Sequence, residues 1–220
     1  MGVCSSKENV GNEIEEEIEI DIANEEEFAL FKMERERILS KDKEMVNNLS
    51  LSHPVTLSLS NQGEYVGNIK DKLGNGYGEM RNQQWMLQGN WKDGYPDGYI
   101  KFNTFQNEEI EGTFINGKLE GNGEFKSKNG GKYKGQMKNN LMNGQGRYEW
   151  PDGSYYEGEF LNGVIHGKGI YNYANGTIYE GEFKNGKKDG KGVMSSKKLQ
   201  GKVRGTWREG LLENDLVLSN

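Results

Sequence analysis

A glycine recurs along this chain at a near-constant interval, and no other feature of the sequence constrains the fold as tightly. With Gly67, Gly89, Gly112, Gly135, Gly158, Gly181 and Gly205 as anchors, the spacings are 22, 23, 23, 23, 23 and 24. Nine residues after an anchor lie Gly76, Gly98, Gly121, Gly144, Gly167 and Gly190, and eleven after lie Gly78, Gly123, Gly146, Gly169 and Gly192. Large side chains flank the anchors two positions away on both sides, as Tyr156 and Phe160 flank Gly158. Another recurs 13 residues on, at Met80, Phe102, Phe125, Tyr148, Tyr171, Met194 and Leu218. A period of this length means a stack of like units, each too small to bury its own apolar face alone.

The local pattern says what each unit is. In Tyr156-Glu157-Gly158-Glu159-Phe160, a period of two puts Tyr, Gly and Phe on one face of a strand and both glutamates on the other. A glycine between two aromatics leaves room for a ring to cross the backbone. Asn162-Gly163 stands in the middle of its unit and Asn175-Gly176 at its end. Asn116-Gly117, Asn129-Gly130, Asp152-Gly153 and Asn185-Gly186 punctuate the others. These pairs supply the positive φ that tight hairpin turns require. Each unit is therefore expected to be a β-hairpin, with successive hairpins stacked edge to edge. The fold class is all-β: an elongated, twisted, single-layer antiparallel sheet over residues 51–220. Val55, Leu57 and Leu59 alternate ahead of the first anchor, as in a half repeat.

These residues resemble the MORN family, whose repeats read YEGEW-x-x-G-x-x-x-G-x-G and close on Asp/Asn-Gly. The resemblance covers residues 65–218 in seven repeats and implies a hairpin ribbon on the order of 65–70 Å long. Several positions depart from it. Ile100 takes a usual glycine place, Pro96 and Asn107 occupy turn positions, and Lys72, Trp85, Asn140, Asn214 and Leu216 replace other glycines. Atypical first and last repeats suit a capped array.

Charge and chemistry divide the chain. Residues 1–60 carry 14 Asp/Glu against 6 Lys/Arg, whereas residues 61–220 carry 20 against 22. A near-neutral array argues against nucleic-acid binding through bulk charge. One cysteine and two histidines cannot build a disulfide framework or a Cys/His metal site, so no metal and no cofactor is expected. No apolar run approaches a membrane-spanning length.

The opening Met-Gly-Val-Cys-Ser-Ser fits N-myristoylation of Gly2, with Cys4 placed for S-palmitoylation. A single acyl chain holds a membrane only marginally, so the second is what would make the tether stable. Residues 1–23 are expected to be an acylated, acidic, flexible N-terminus. Asn24 and Glu27 then form a capping-box-like pair opening an amphipathic helix over residues 24–48. Its apolar stripe, including Phe28, Phe31, Ile38 and Leu39, would pack on the chain's own repeats, dock on another protein or enter a membrane.

No active site emerges. Gly112 to Lys118 nearly matches a P-loop, but Leu119 stands where a Ser or Thr must hold magnesium. The outward glutamates are expected to pair across strands with lysines such as Lys168 or Lys191. His166 is expected in a solvated turn.

The chain reads as a non-catalytic, membrane-tethered scaffold. Its partner, a helix or peptide of another protein, would meet the aromatic face. The candidate residues are Trp91, Phe114, Tyr133, Tyr148, Trp150, Tyr156, Phe160, Tyr171, Tyr179, Phe183 and Trp207. Most of these rings should also hold neighbouring hairpins together. The alternatives are direct phospholipid binding, or a structural or regulatory place in a ciliary or cortical cytoskeletal assembly, which the family resemblance implies. A homodimer is a further option. The expected location is the cytoplasmic face of the plasma or ciliary membrane, otherwise the cytoplasm or cytoskeleton.

Overall fold

The structure, a computed structural model, describes residues 54–58, 63–196 and 202–218. The acylation positions Gly2 and Cys4 and the expected helix over 24–48 lie outside the described residues.

Fifteen strands form one open antiparallel sheet whose spatial order is the chain order. They are β1 (Val55–Ser58), β2 (Glu64–Lys70), β3 (Leu73–Arg81), β4 (Trp85–Lys92), β5 (Tyr95–Thr104), β6 (Glu109–Ile115), β7 (Lys118–Lys126), β8 (Lys132–Lys138), β9 (Leu141–Glu149), β10 (Tyr155–Leu161), β11 (Val164–Asn172), β12 (Ile178–Lys184), β13 (Lys187–Ser195), β14 (Lys202–Arg208) and β15 (Leu211–Leu218). The expected half repeat is β1, and the seven anchored units are the seven hairpins that follow.

The turns follow the sequence signals. Asn116, Asn162 and Asn185 hold φ near +50°, each followed by a left-handed glycine. Lys72 and Asn140 accept the same region at φ 67 and 70 where glycine is missing. Pro96 is not in the turn. It pairs with Trp91 inside the hairpin, and its carbonyl accepts the Gly117 N–H at 2.8 Å. Trp85 likewise opens β4 and is not a turn residue.

Register converts the repeat into a ladder. Gly158 faces Gly169 within its hairpin, and Gly169 faces Gly181 in the next. The same row runs through Gly67, Gly78 and Gly89, breaks at Ile100, and resumes from Gly112 to Gly205. Beside it runs a row of large residues, in which Tyr148 faces Tyr156, Tyr156 faces Tyr171, and Tyr171 faces Tyr179.

The tyrosine rings lie down across the glycines. A Cβ at Gly158 would stand 2.5 Å from both the Tyr156 hydroxyl and the Gly169 Cα. The ring thereby reaches past the strand's bulge, where its hydroxyl donates to the Glu159 carbonyl at 3.0 Å. Tyr65, Tyr133 and Tyr179 repeat this bond to Asn68, Gln136 and Glu182 carbonyls at 2.8, 2.8 and 3.2 Å. Where tyrosine is absent the volume is made up differently. Leu87 is accompanied by Ile100 in the glycine row, and Ile110 by Leu119 leaning over Gly112.

Phe160 and Phe183 lock these rings edge to face. Phe160 touches Tyr133 and Tyr156 at centroid distances of 5.3 and 5.2 Å, and Phe183 touches Tyr156 and Tyr179, both at 5.1 Å. Trp207 continues the chain at 4.9 Å from Tyr179. Each edge-to-face pair adds about 0.5–1.5 kcal/mol beyond area burial. A zigzag of rings thus runs along one face from Tyr133 to Trp207, linking the fourth hairpin through to the seventh, and aliphatic side chains such as Leu87, Ile100, Ile110 and Leu119 continue the core before it.

Gly158→Ala is expected to destabilise by about 1–3 kcal/mol, because the added methyl displaces either a locked ring or the opposite strand. Tyr156→Phe keeps the ring and loses the hydroxyl bond, costing about 0.5–1.5 kcal/mol. Urea unfolding of the two variants beside the wild type checks both the sizes and their order.

Candidate functional site

Of the eleven ring-face candidates, all but Trp150 are at most 6 % exposed. Tyr133, Tyr156, Phe160, Tyr179, Phe183 and Trp207 form the zigzag, while Trp91 packs on Tyr65 and donates its indole N–H to the Gly78 carbonyl at 3.2 Å. Trp150 is half-buried and belongs to a second cluster at the turns between repeats. It stacks on Tyr171 at 5.0 Å and leans on Tyr148 at 4.7 Å, with Tyr173 beyond at 4.2 Å from Tyr171. The rings are therefore consumed mainly in mutual packing.

Burial raises the phenol pKa values of Tyr133, Tyr156, Tyr173 and Tyr179, and pushes Tyr65 up to about 12. A raised folded-state pKa gives stability that is complete below the ordinary value of 10.0 and lost above it. For Tyr65 the loss falls between pH 10 and about 12. Absorbance titration of the phenolates should accordingly lag behind that of free tyrosine and coincide with loss of the β-sheet signal.

The outer face carries charge in a row. Lys101 pairs with Glu111, Lys134 with Glu124 at 2.5 Å, and Arg147 with Glu157 at 3.3 Å. All three bonds join different hairpins, whereas like charges face each other inside a hairpin, as Glu111 faces Glu124 and Lys134 faces Arg147. Exposed pairs contribute little stability one by one. Here they favour the correct neighbour over a misplaced one. Lys101 and the Tyr99 hydroxyl together hold the Glu111 carboxyl below its usual range.

The second glutamate of the YEGE motif has a task that the alternation pattern did not reveal. The expected pairing with the ammonium groups of Lys168 and Lys191 is replaced by bonds to their backbones. Glu159 accepts the Lys168 N–H at 3.0 Å and Glu182 the Lys191 N–H at 3.1 Å, with Gln136 doing the same for Gln145 at 2.8 Å. The bulge after each anchor frees an amide from the ladder, and these side chains satisfy it.

A further ladder runs along the edge of the mid-hairpin turns. The turn glycine of one hairpin donates to a carbonyl of the hairpin before it: Gly163 to Met142, Gly186 to Ile165 and Gly210 to Lys188, each at 2.9 Å. Beside it, Asp97, Glu120 and Asp189 accept the N–H of Asn116, Asn139 and Glu209. His166 occupies the equivalent place. It lies within β11, not in a solvated turn, and its Nδ1 is buried without a hydrogen-bond partner.

The same edge concentrates cations. Exposed Lys70, Lys92, Lys118, Lys138, Lys184, Lys187 and Arg208 stand there with Asp71, Asp93, Asp97, Glu120, Asp189 and Glu209, and the exposed apolar side chains Ile115, Leu161, Val164 and Leu211 lie between them. Only the register gathers these positions along one line. Among the described residues no group of His, Cys, Asp and Glu is placed to hold a metal ion. No helix among them is long and apolar enough to cross a membrane.

This geometry defines a class: an open array of β-hairpin repeats bonded by tyrosine over glycine. A family profile for the MORN repeat matches residues 88–99, 111–132, 133–155, 156–178 and 179–198, and the chain belongs to that family. The matched segment of the second hairpin stops at Tyr99, just before Ile100 breaks the glycine row. Among curated proteins no relative matches. Among solved structures the chain is similar to the SAS-4 (dCPAP) TCP domain in complex with a proline-rich motif of Ana2 (dSTIL) of Drosophila melanogaster. The identity is 11 %, over 80 % of this chain and 97 % of that chain, with a TM-score of 0.35.

His166→Asp should supply the missing acceptor, by analogy with Asp97 and Asp189, and stabilise the array by about 0.5–1.5 kcal/mol. A urea midpoint at or below that of the wild type at neutral pH would refute this.

Proposed function

We propose that this MORN-repeat chain is a non-catalytic scaffold, tethered to a membrane by acyl groups on Gly2 and Cys4, that holds a protein partner on its ring face. The observation that carries the reading is the single open layer: the rings bind hairpin to hairpin, and among the described residues no second layer lies over either face. Repeat arrays of this kind commonly use such extended surfaces for partners. A helix or peptide lying along the ring face would meet ring edges, the half-buried Trp150 and the residues bordering the zigzag. The acyl tether would put this surface at the cytoplasmic leaflet of a plasma or ciliary membrane.

A second reading has support from the exposed lysines of the turn edge. Cations at hairpin intervals, with exposed Ile115, Leu161 and Val164 between them, suit an anionic lipid surface. That edge would steady the ribbon on the leaflet to which the acyl chains attach it.

Cell fractionation of the full-length protein is expected to place the wild type in membranes and to release Gly2→Ala and Cys4→Ser. Identical distribution of all three would refute the tether. Lys92→Glu/Lys138→Glu/Lys184→Glu separates the readings. Loss of salt-sensitive binding to phosphatidylserine vesicles by this variant would support the lipid-facing edge, and unchanged binding would eliminate it.

A further inference from the structure

In four consecutive hairpins the strand that returns from the mid-hairpin turn begins with an inward residue facing the Phe or Met of its partner strand. Leu119 faces Phe114, Met142 faces Met137, Ile165 faces Phe160, and Lys188 faces Phe183. Leu119, Met142 and Ile165 are 2, 1 and 1 % exposed, whereas Lys188 is 9 % exposed. The lysine stem fills the space that Met or Ile fills elsewhere, and the head group lies over the Tyr179 ring.

Among the described residues that head group has no countercharge. Lys188 is the one charged side chain buried among the described residues. Its Nζ lies 5.7 Å from the centre of the Tyr179 ring, and among the described residues it has no carboxylate or hydrogen-bond partner. The nearby acids are committed elsewhere: Glu182 accepts the Lys191 amide and Asp189 the Glu209 amide. Burial pushes the amine below the usual lysine range. A cation–π contact offsets only part of the cost of removing an ammonium from water. Methionine or isoleucine would fit this site without that cost, as the sister hairpins show. A position that breaks the repeat's own rule at a cost to stability is where function is expected.

We infer that Lys188 is the anchor for a carboxylate of the partner, an Asp or Glu side chain or a C-terminus within a segment otherwise apolar enough to lie against Phe183, Trp207 and the exposed Leu212. One ammonium balances one carboxylate. A multiply charged phosphate headgroup would need further cations, and the described residues bury none beside it. The inference rests on the ring-face reading above.

The test is a peptide-display selection on the full-length wild type and on Lys188→Met, which restores the residue type of the sister hairpin. The wild type is expected to enrich peptides with an acidic residue at a fixed place among apolar ones. Replacing that residue by its amide should weaken binding roughly tenfold or more. Lys188→Met should bind acid and amide forms alike while unfolding at an equal or higher urea concentration. Enrichment without an acidic residue, or acid peptides that bind Lys188→Met as tightly as wild type, would overturn the anchor and leave the scaffold intact. Failure to select any peptide would count against both. Vesicles containing phosphatidylinositol phosphates, if they bound the wild type but not Lys188→Met, would overturn the carboxylate in favour of phosphate. If deleting residues 13–27 raised the affinity of the selected peptides, the chain's own acidic segment would be the occupant and the external partner would be overturned.

Discussion

A tyrosine ring lying across two facing glycines is the contact on which the rest of this molecule depends. It requires three things of the sequence at once. The strand must alternate so that Tyr156 and Gly158 share a face, the facing residue must be Gly169, and the bulge must present the Glu159 carbonyl to the hydroxyl. When all three hold, a flat sheet acquires a packed interior without a second layer. The ring occupies space that a side chain at the glycine would fill, and Phe160 and Phe183 wedge it from both sides. Hairpins that could not bury an apolar face singly become mutually dependent.

This economy explains how the remaining surfaces are divided. With the rings consumed internally, specificity of assembly falls to the outer face, where Lys101, Lys134 and Arg147 each meet a glutamate of the neighbouring hairpin, and to the turn edge, where turn-glycine amides bond the previous hairpin. The second acidic YEGE position satisfies an amide freed by the bulge, so its chemistry is structural. What remains for function is what the packing leaves uncommitted: a turn edge of exposed lysines and apolar side chains, and one lysine on the ring face. Lys188 takes part in the packing through its stem only, and its charge answers to nothing in the described array.

The departures from the repeat are informative for the same reason. Ile100 breaks the glycine row where Leu87 has replaced tyrosine, so the lost ring volume returns from the opposite strand. Asn140 and Lys72 show that a turn tolerates the loss of glycine when the substitute accepts left-handed geometry. Pro96 survives in a strand because its carbonyl, not an amide, is what the neighbouring turn requires.

The sequence alone determined the hairpin, the face assignments, the order of the strands and the rows of glycine and large residues, because a period of two nested in a period of about 23 admits one arrangement of neighbours. It also exposed the ring candidates, though not that ten of them would be buried against each other. Tertiary structure decided everything that depends on register between strands far apart in sequence. The bulge that gives Glu159 its amide, the turn ladder, the gathering of cations on one edge and the partial burial of His166 all arise there. Lys188 is the clearest case. In sequence it is an ordinary lysine after a turn, and only pairing with Phe183 beneath Tyr179 makes its charge an isolated one.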